Sequence, residues 1–98
     1  MSTQANIHIL GTDAVFGVSR EGYPEYMVSL LRELAKKCNS KWELLGRLFV
    51  ELLECESLVL GTLRFAYDYY IDFENNTIEY EEKGKKIVKK LRLWTLSN

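Results

Sequence analysis

At 98 residues the chain is one domain's length, too short to divide into two independent cores. Hydrophobic residues at 47% and charged residues at 28% exclude intrinsic disorder, and folding should require neither a metal nor disulfides. With 13 Lys and Arg against 14 Asp and Glu, a formal net charge of -1, no global field draws the molecule to nucleic acid or an acidic membrane, so any such binding must come from a local patch.

Residues 1–6 are polar, with no basic start followed by an apolar run. No segment approaches the roughly 20 apolar residues needed to span a bilayer. The expectation is a cytoplasmic protein, in a host cell, with no membrane association. Cys38 and Cys55 lack metal-type spacing, and each falls near the end of a predicted helix. Both are expected as free, buried thiols.

In chain order, Ile7 and Ile9 flank His8 within residues 5–10, the period of a strand. Gly11, Thr12 and Asp13 supply a turn, and residues 14–19 form a second extended run, so the two are predicted to pair as an antiparallel hairpin. Pro24 suits the first turn of a helix, and Glu25 complements the positive end of its dipole. Within that helix Met27, Leu30, Leu31, Leu34, Ala35 and Cys38 recur at three- and four-residue intervals. Asn39 ends it. Ser40, with Glu43 three residues later, is the start signal of a second helix. Its predicted core stripe is Trp42, Leu45, Leu48, Phe49, Leu52 and Leu53, with Lys41, Arg47, Glu51 and Glu54 outside.

The clearest periodicity follows. Leu63, Phe65, Tyr67, Tyr69, Ile71 and Phe73 alternate with Arg64, Ala66, Asp68, Tyr70, Asp72 and Glu74, which predicts a long strand with the first set inward. Asn75-Asn76 is predicted as a two-residue turn into a strand carrying Ile78 and Tyr80 against Thr77, Glu79 and Glu81. Residues 85–96 fit a helix through Ile87, Val88, Leu91 and Trp94, or a strand through Leu91 and Leu93; the strand is preferred. The fold class is therefore a single α+β domain over residues 1–98. An antiparallel β-sheet, in the order β-β-α-α-β-β-β, has two helices packed on one face.

Signatures of catalysis are not visible: no nucleophile beside a base, no metal cluster, and glycines too scattered for a phosphate loop. No cofactor or metal is expected. His8, the single histidine, is expected as an ordinary surface or edge residue. Asp68, Asp72 and Glu74 share one face of the long strand and approach Glu79 and Glu81 across the hairpin. Such a patch is either a solvated outer face or a surface for a cation or basic partner. Lys83, Lys85, Lys86, Lys89, Lys90 and Arg92 make the densest charge run; it either pairs with the acidic strand or grips phosphates. Tyr23 is either a staple against the helix it precedes or an exposed contact residue.

The opening Ala5-Asn6-Ile7, the turn Glu21-Gly22-Tyr23-Pro24-Glu25 leading into a helix, and the run Tyr-Asp-Tyr-Tyr-Ile-Asp-Phe-Glu-Asn-Asn-Thr-Ile at 67–78 together resemble a group of small uncharacterised proteins of phages and mobile elements. Glu21 stands where that group usually has aspartate. The resemblance implies a viral or mobile-element origin and brings no biochemical activity with it. By analogy with virus-encoded domains that occupy host proteins, the expected function is non-enzymatic: an anti-CRISPR-like inhibitor of a host defence system. It would bind a host protein, such as a nucleic-acid-handling defence complex, through Tyr23, Asp68, Tyr70, Asp72, Glu79 and Glu81. The alternative is a nucleic-acid-binding module acting through Lys85, Lys86, Lys89, Lys90 and Arg92. An unpaired sheet edge would also support a homodimer by strand addition.

Overall fold

The computed structural model describes residues 3–59, 66–82 and 85–94, with backbone alone at 85–90. Strands β1 (Ala5–Ile9) and β2 (Val15–Val18) come first, then helices α1 (Pro24–Lys36) and α2 (Lys41–Glu54), then β3 (Leu58–Val59), β4 (Tyr67–Asp72), β5 (Thr77–Glu82) and β6 (Lys85–Arg92). The expected start of the long strand at Leu63 and Phe65, and the end of the last segment at Leu96, lie outside the described residues. The last segment is a strand, as preferred.

All six strands join one sheet in the order β3-β2-β1-β4-β5-β6. It is mixed, which corrects the expected antiparallel sheet: β1 pairs antiparallel with β2 but parallel with β4. The first hairpin fills one edge of β1. After the helices the chain adds β3 outside β2, and then enters beside the free edge of β1 in the same direction, as only a crossover connection permits. β3, with two residues, is too short for any alternation to announce it, so the order gains a strand: β-β-α-α-β-β-β-β.

Where the sequence alternates, the structure follows. Tyr69 and Ile71 of β4 and Ile78 of β5 are fully buried beside Ile7 and Ile9 of β1. They pack against Met27 and Leu31 of α1 and Leu44 and Leu48 of α2 in one core. The hairpin turn departs from expectation. Asp72 pairs with Thr77, so four residues turn instead of two. Asp72 holds the turn by accepting from the Asn75 amide nitrogen at 3.1 Å and from its side-chain nitrogen at 2.7 Å. Asn76 takes the left-handed conformation, φ 55°, which asparagine tolerates better than most residues. Its side chain then clamps Trp94: Nδ2 donates to the Trp94 carbonyl at 2.8 Å, and Oδ1 accepts from the Trp94 N–H at 2.6 Å.

The Gly-Tyr-Pro-Glu turn has a packing reason. A Cβ at Gly22 would stand 2.8 Å from the Cβ of buried Ala5 and 3.0 Å from its backbone nitrogen, so only glycine lets the loop lie on β1. The Gly22 N–H donates to the Thr3 carbonyl at 2.9 Å, and its carbonyl accepts from the buried Tyr69 hydroxyl at 2.6 Å. Tyr23 is extended (ψ 152°) before Pro24 at the helix start, the conformation a proline imposes on its predecessor.

Helix α2 starts where expected, with Ser40 Oγ accepting from the Glu43 N–H at 3.1 Å, but it is turned relative to the predicted stripe. Leu48 and Leu52 face the core as predicted and Leu44 joins them, whereas Trp42, Phe49 and Leu53 are exposed at 61%, 42% and 49%. This helix is apolar around most of its circumference, so periodicity offered two overlapping stripes, and packing against α1 and the sheet selected one. Its end uses a left-handed Glu56 (φ 53°), with Ser57 N–H donating to the Leu52 carbonyl and Glu56 N–H to that of Leu53, the paired bonds of a Schellman cap. Cys55 sits on this cap and is exposed, a correction to the expected buried thiol; Cys38 is buried. No helix among the described residues is long and apolar enough to cross a membrane.

Candidate interaction surface on the open face of the sheet

The helices cover one face of the sheet. Strand alternation sends Asn6 and His8 of β1, Asp68 and Tyr70 of β4, and Glu79 and Glu81 of β5 to the other. Register then decides who meets. Parallel pairing sets Asn6 beside Asp68 and His8 beside Tyr70, and the β4–β5 ladder sets Asp68 across from Glu81 and Tyr70 across from Glu79. Two lateral rows result, Asn6–Asp68–Glu81 and His8–Tyr70–Glu79, on strands about 4.8 Å apart.

The rows are cross-linked. Asp68 Oδ1 lies 3.1 Å from His8 Nε2 and 3.3 Å from Asn6 Nδ2. A carboxylate only accepts, so the histidine proton in this contact belongs to Nε2. The His8 ring stacks on Tyr70 with centroids 4.5 Å apart and planes 15° apart. The His8 and Asp68 side chains are each 27% exposed, half-dry and fixed by their neighbours. Burial is the main cause that pushes the Tyr70 phenol above its ordinary range. The Asp68 and Glu81 charges and a hydrogen bond to Glu81 add to it, so Tyr70 presents a hydroxyl donor at neutral pH. The arrangement offers a partner three carboxylates, Asp68, Glu79 and Glu81, around one tyrosine ring.

Of the sequence-predicted contacts, Asp68, Tyr70, Glu79 and Glu81 are brought together here. Asp72 shares the alternation but lies at the turn, where its carboxylate is occupied by Asn75. Glu74 leaves the face altogether and bonds Lys41 of α2 at 2.9 Å. Tyr23 is elsewhere: it is the N-cap residue of α1, its hydroxyl donates to Glu21 at 3.0 Å, and its ring tilts toward Tyr26 at 6.4 Å. As the cap itself it cannot be the staple, which belongs one residue earlier. The basic segment forms β6, at the sheet edge. Its backbone register sets Lys90 across from Glu79, Lys89 across from Tyr80, Lys85 across from Glu82 and Arg92 across from Thr77; the side chains of Lys85, Lys86, Lys89 and Lys90 lie outside the described residues. Arg92 is exposed, and its carbonyl accepts from Arg32 Nε of α1 at 2.8 Å.

Sequence reasoning missed Asn6 and His8. Both alternate outward on β1, a signal present in the sequence, but their meeting with Asp68 and Tyr70 depends on the parallel pairing. Among the described residues no group of three or more His, Cys, Asp and Glu is arranged to hold a metal. Three concavities lined by described residues include none of the residues of these rows: one between β2 and the helices, lined by Val18, Met27, Leu30 and Leu52, an open groove between Trp42, Phe73 and Trp94, and a shallow one beside Leu34, Gly46 and Val50. Comparison of the chain with protein-family models, curated proteins and solved structures finds no match.

Proposed function

We propose that this is a non-enzymatic binding module that docks a protein through the open face of its sheet, with Asp68, Tyr70, Glu79 and Glu81 as contacts and His8 and Asn6 holding Asp68 and Tyr70 in place. The observation that carries the reading is the direct juxtaposition of these four residues by the β4–β5 register. Carboxylates around a tyrosine suit a basic surface: acidic groups steer the encounter, and a half-buried aromatic gives contact area at small entropic cost. Within this reading, the partner is a host protein whose basic surface otherwise holds nucleic acid, and the module is an inhibitor that competes for it.

A second reading, nucleic-acid binding along β6, draws on Lys85, Lys86, Lys89, Lys90 and Arg92. The neighbouring acidic strand weighs against it, because Glu79 and Glu82 stand across from Lys90 and Lys85 and opposite charges so placed attract each other. Affinity capture from extracts of the natural host, with wild type and Asp68→Lys/Glu79→Lys compared side by side, tests both. The expected result is a protein retained by the wild type and lost with the charge reversal, at unchanged circular dichroism. Recovery of nucleic acid alone, released by salt and by neutralising the β6 lysines, would overturn the first reading in favour of the second.

A further inference from the structure

Both tryptophans of the chain line one groove, where the start of α2 meets the β4–β5 turn and the residues just after β6. It encloses about 510 Å³, within the roughly 300–1,000 Å³ of small-molecule sites. Its aromatic wall is fixed in advance. The Asn76 side chain holds the Trp94 backbone through two hydrogen bonds, and the Trp94 ring packs on Phe73 with centroids 4.6 Å apart. Trp42, in the first turn of α2, is the most exposed large apolar side chain among the described residues, at 61%. The rest of the lining is polar. Lys41 Nζ lies 2.9 Å from Glu74 Oε1, and a Cβ at Gly11 (φ 82°) would stand 2.7 Å from the same nitrogen, so glycine there gives the lysine its place. The Glu74 side chain stays 70% exposed, and exposed Asn39 adds an amide.

Charge decides the class of ligand. Lys41 and Glu74 are the charged residues of the lining and they cancel, so the groove has no net charge to draw a phosphate or a quaternary ammonium. A wholly apolar occupant would strip water from the ion pair and return no hydrogen bond, which is costly. What fits is a neutral molecule with an apolar face for an indole and hydroxyls along its rim. We propose that the groove binds a neutral saccharide, with one sugar ring laid by its C–H face on Trp42 and adjacent hydroxyls bridging the Lys41–Glu74 pair. One hydroxyl donates to the Glu74 carboxylate and its neighbour accepts from the Lys41 ammonium, both charge-assisted bonds. The Asn39 amide can donate or accept at the rim. The groove shares no residue with the rows on the open sheet face, so this proposal stands or falls apart from the docking reading.

Because the chain has two tryptophans and both line the groove, their emission reads it directly. Titration of the full chain with cellotriose, maltotriose and chitotriose should give a saturable emission change with at least one of them. Calorimetry with that sugar should show affinity lowered about tenfold or more in Trp42→Ala, which loses the apolar plate. Glu74→Gln should lose about tenfold, the worth of a hydrogen bond to a charged group. Both side chains are largely exposed, so circular dichroism should not change in either variant. Wild-type emission that responds to none of the three sugars overturns the proposal. So does a stronger response to inorganic phosphate or to tetramethylammonium, and so does sugar binding that both substitutions leave intact.

Discussion

Replacing Tyr69 by phenylalanine isolates one hydrogen bond with large leverage. The ring is fully buried and the substitution keeps it; what goes is the hydroxyl that donates to the Gly22 carbonyl at 2.6 Å. That carbonyl belongs to a buried residue in a loop pressed onto β1. An unsatisfied buried acceptor costs about 1–3 kcal/mol, and for a domain of this size each kcal/mol lowers Tm by roughly 4–8 °C. Burial, ahead of the Tyr67 and Tyr80 phenols, holds the Tyr69 phenol far above its ordinary value of 10.0. The unfolded chain therefore releases this proton from about pH 10 while the folded chain keeps it. Its contribution is fully present below pH 10 and lost above, at up to about 1.4 kcal/mol per pH unit. Melts followed by circular dichroism should show Tyr69→Phe below wild type at pH 7 and less sensitive to alkali above pH 10. Melting within 2 °C of wild type at pH 7, with an unchanged alkaline slope, would refute the anchoring role given to this hydroxyl.

Gly22→Ala should destabilise by about 1–3 kcal/mol, an overpacking cost, because the new methyl meets Ala5 at 2.8 Å; chemical denaturation against wild type measures it. At Asn76, glycine keeps the φ of 55° but loses both bonds to the Trp94 backbone, a loss of about 1–3 kcal/mol for two neutral hydrogen bonds. Alanine also strains the backbone, for about 1–2 kcal/mol more. The order of Tm values is therefore expected as wild type, Asn76→Gly, Asn76→Ala, and the reverse order of the two variants would show that the clamp matters less than residual chain entropy.

What the sequence made legible was local. Pro24 and Ser40 start helices through chemistry spanning three or four residues, and the inward set of β4 follows from a side-chain period of two. Whatever required two distant segments to choose each other was hidden. The placement of β4 beside β1 rests on contacts 60 or more residues apart, such as His8 with Asp68 and Asn6 with Asp68, and no pattern in either strand names its neighbour. The phase of α2 was half hidden for the opposite reason, an excess of signal: its broad apolar stripe took in Leu48 and Leu52, which are buried, together with Trp42, Phe49 and Leu53, which are exposed, and only tertiary packing separates them. The four-residue turn escaped because the Asp72 side chain, unlike a backbone ladder, leaves no periodic trace. At the candidate surface the same division holds. That Asp68, Tyr70, Glu79 and Glu81 share a face follows from one hairpin, whereas the nearness of Asn6 and His8 to them needed the crossover.

The acidic rows carry an internal conflict that separates a binding surface from a merely solvated one. Asp68 and Glu81 stand directly across from each other, and like charges so placed oppose folding by about 0.2–1 kcal/mol. Asn6 and His8 relieve Asp68 from one side. Glu79, by contrast, faces a lysine position in β6. A face shaped only for solubility would gain by placing a cation at 81 as well. Glu81→Gln removes one charge of the repelling pair and keeps a side-chain acceptor for the Tyr70 hydroxyl, so the melting temperature should rise slightly or hold. If the open face docks a basic partner, the same change should weaken capture of that partner. Stability falling while capture stays intact would mean that Glu81 serves the fold, and the contact surface would then have to be sought elsewhere on the molecule.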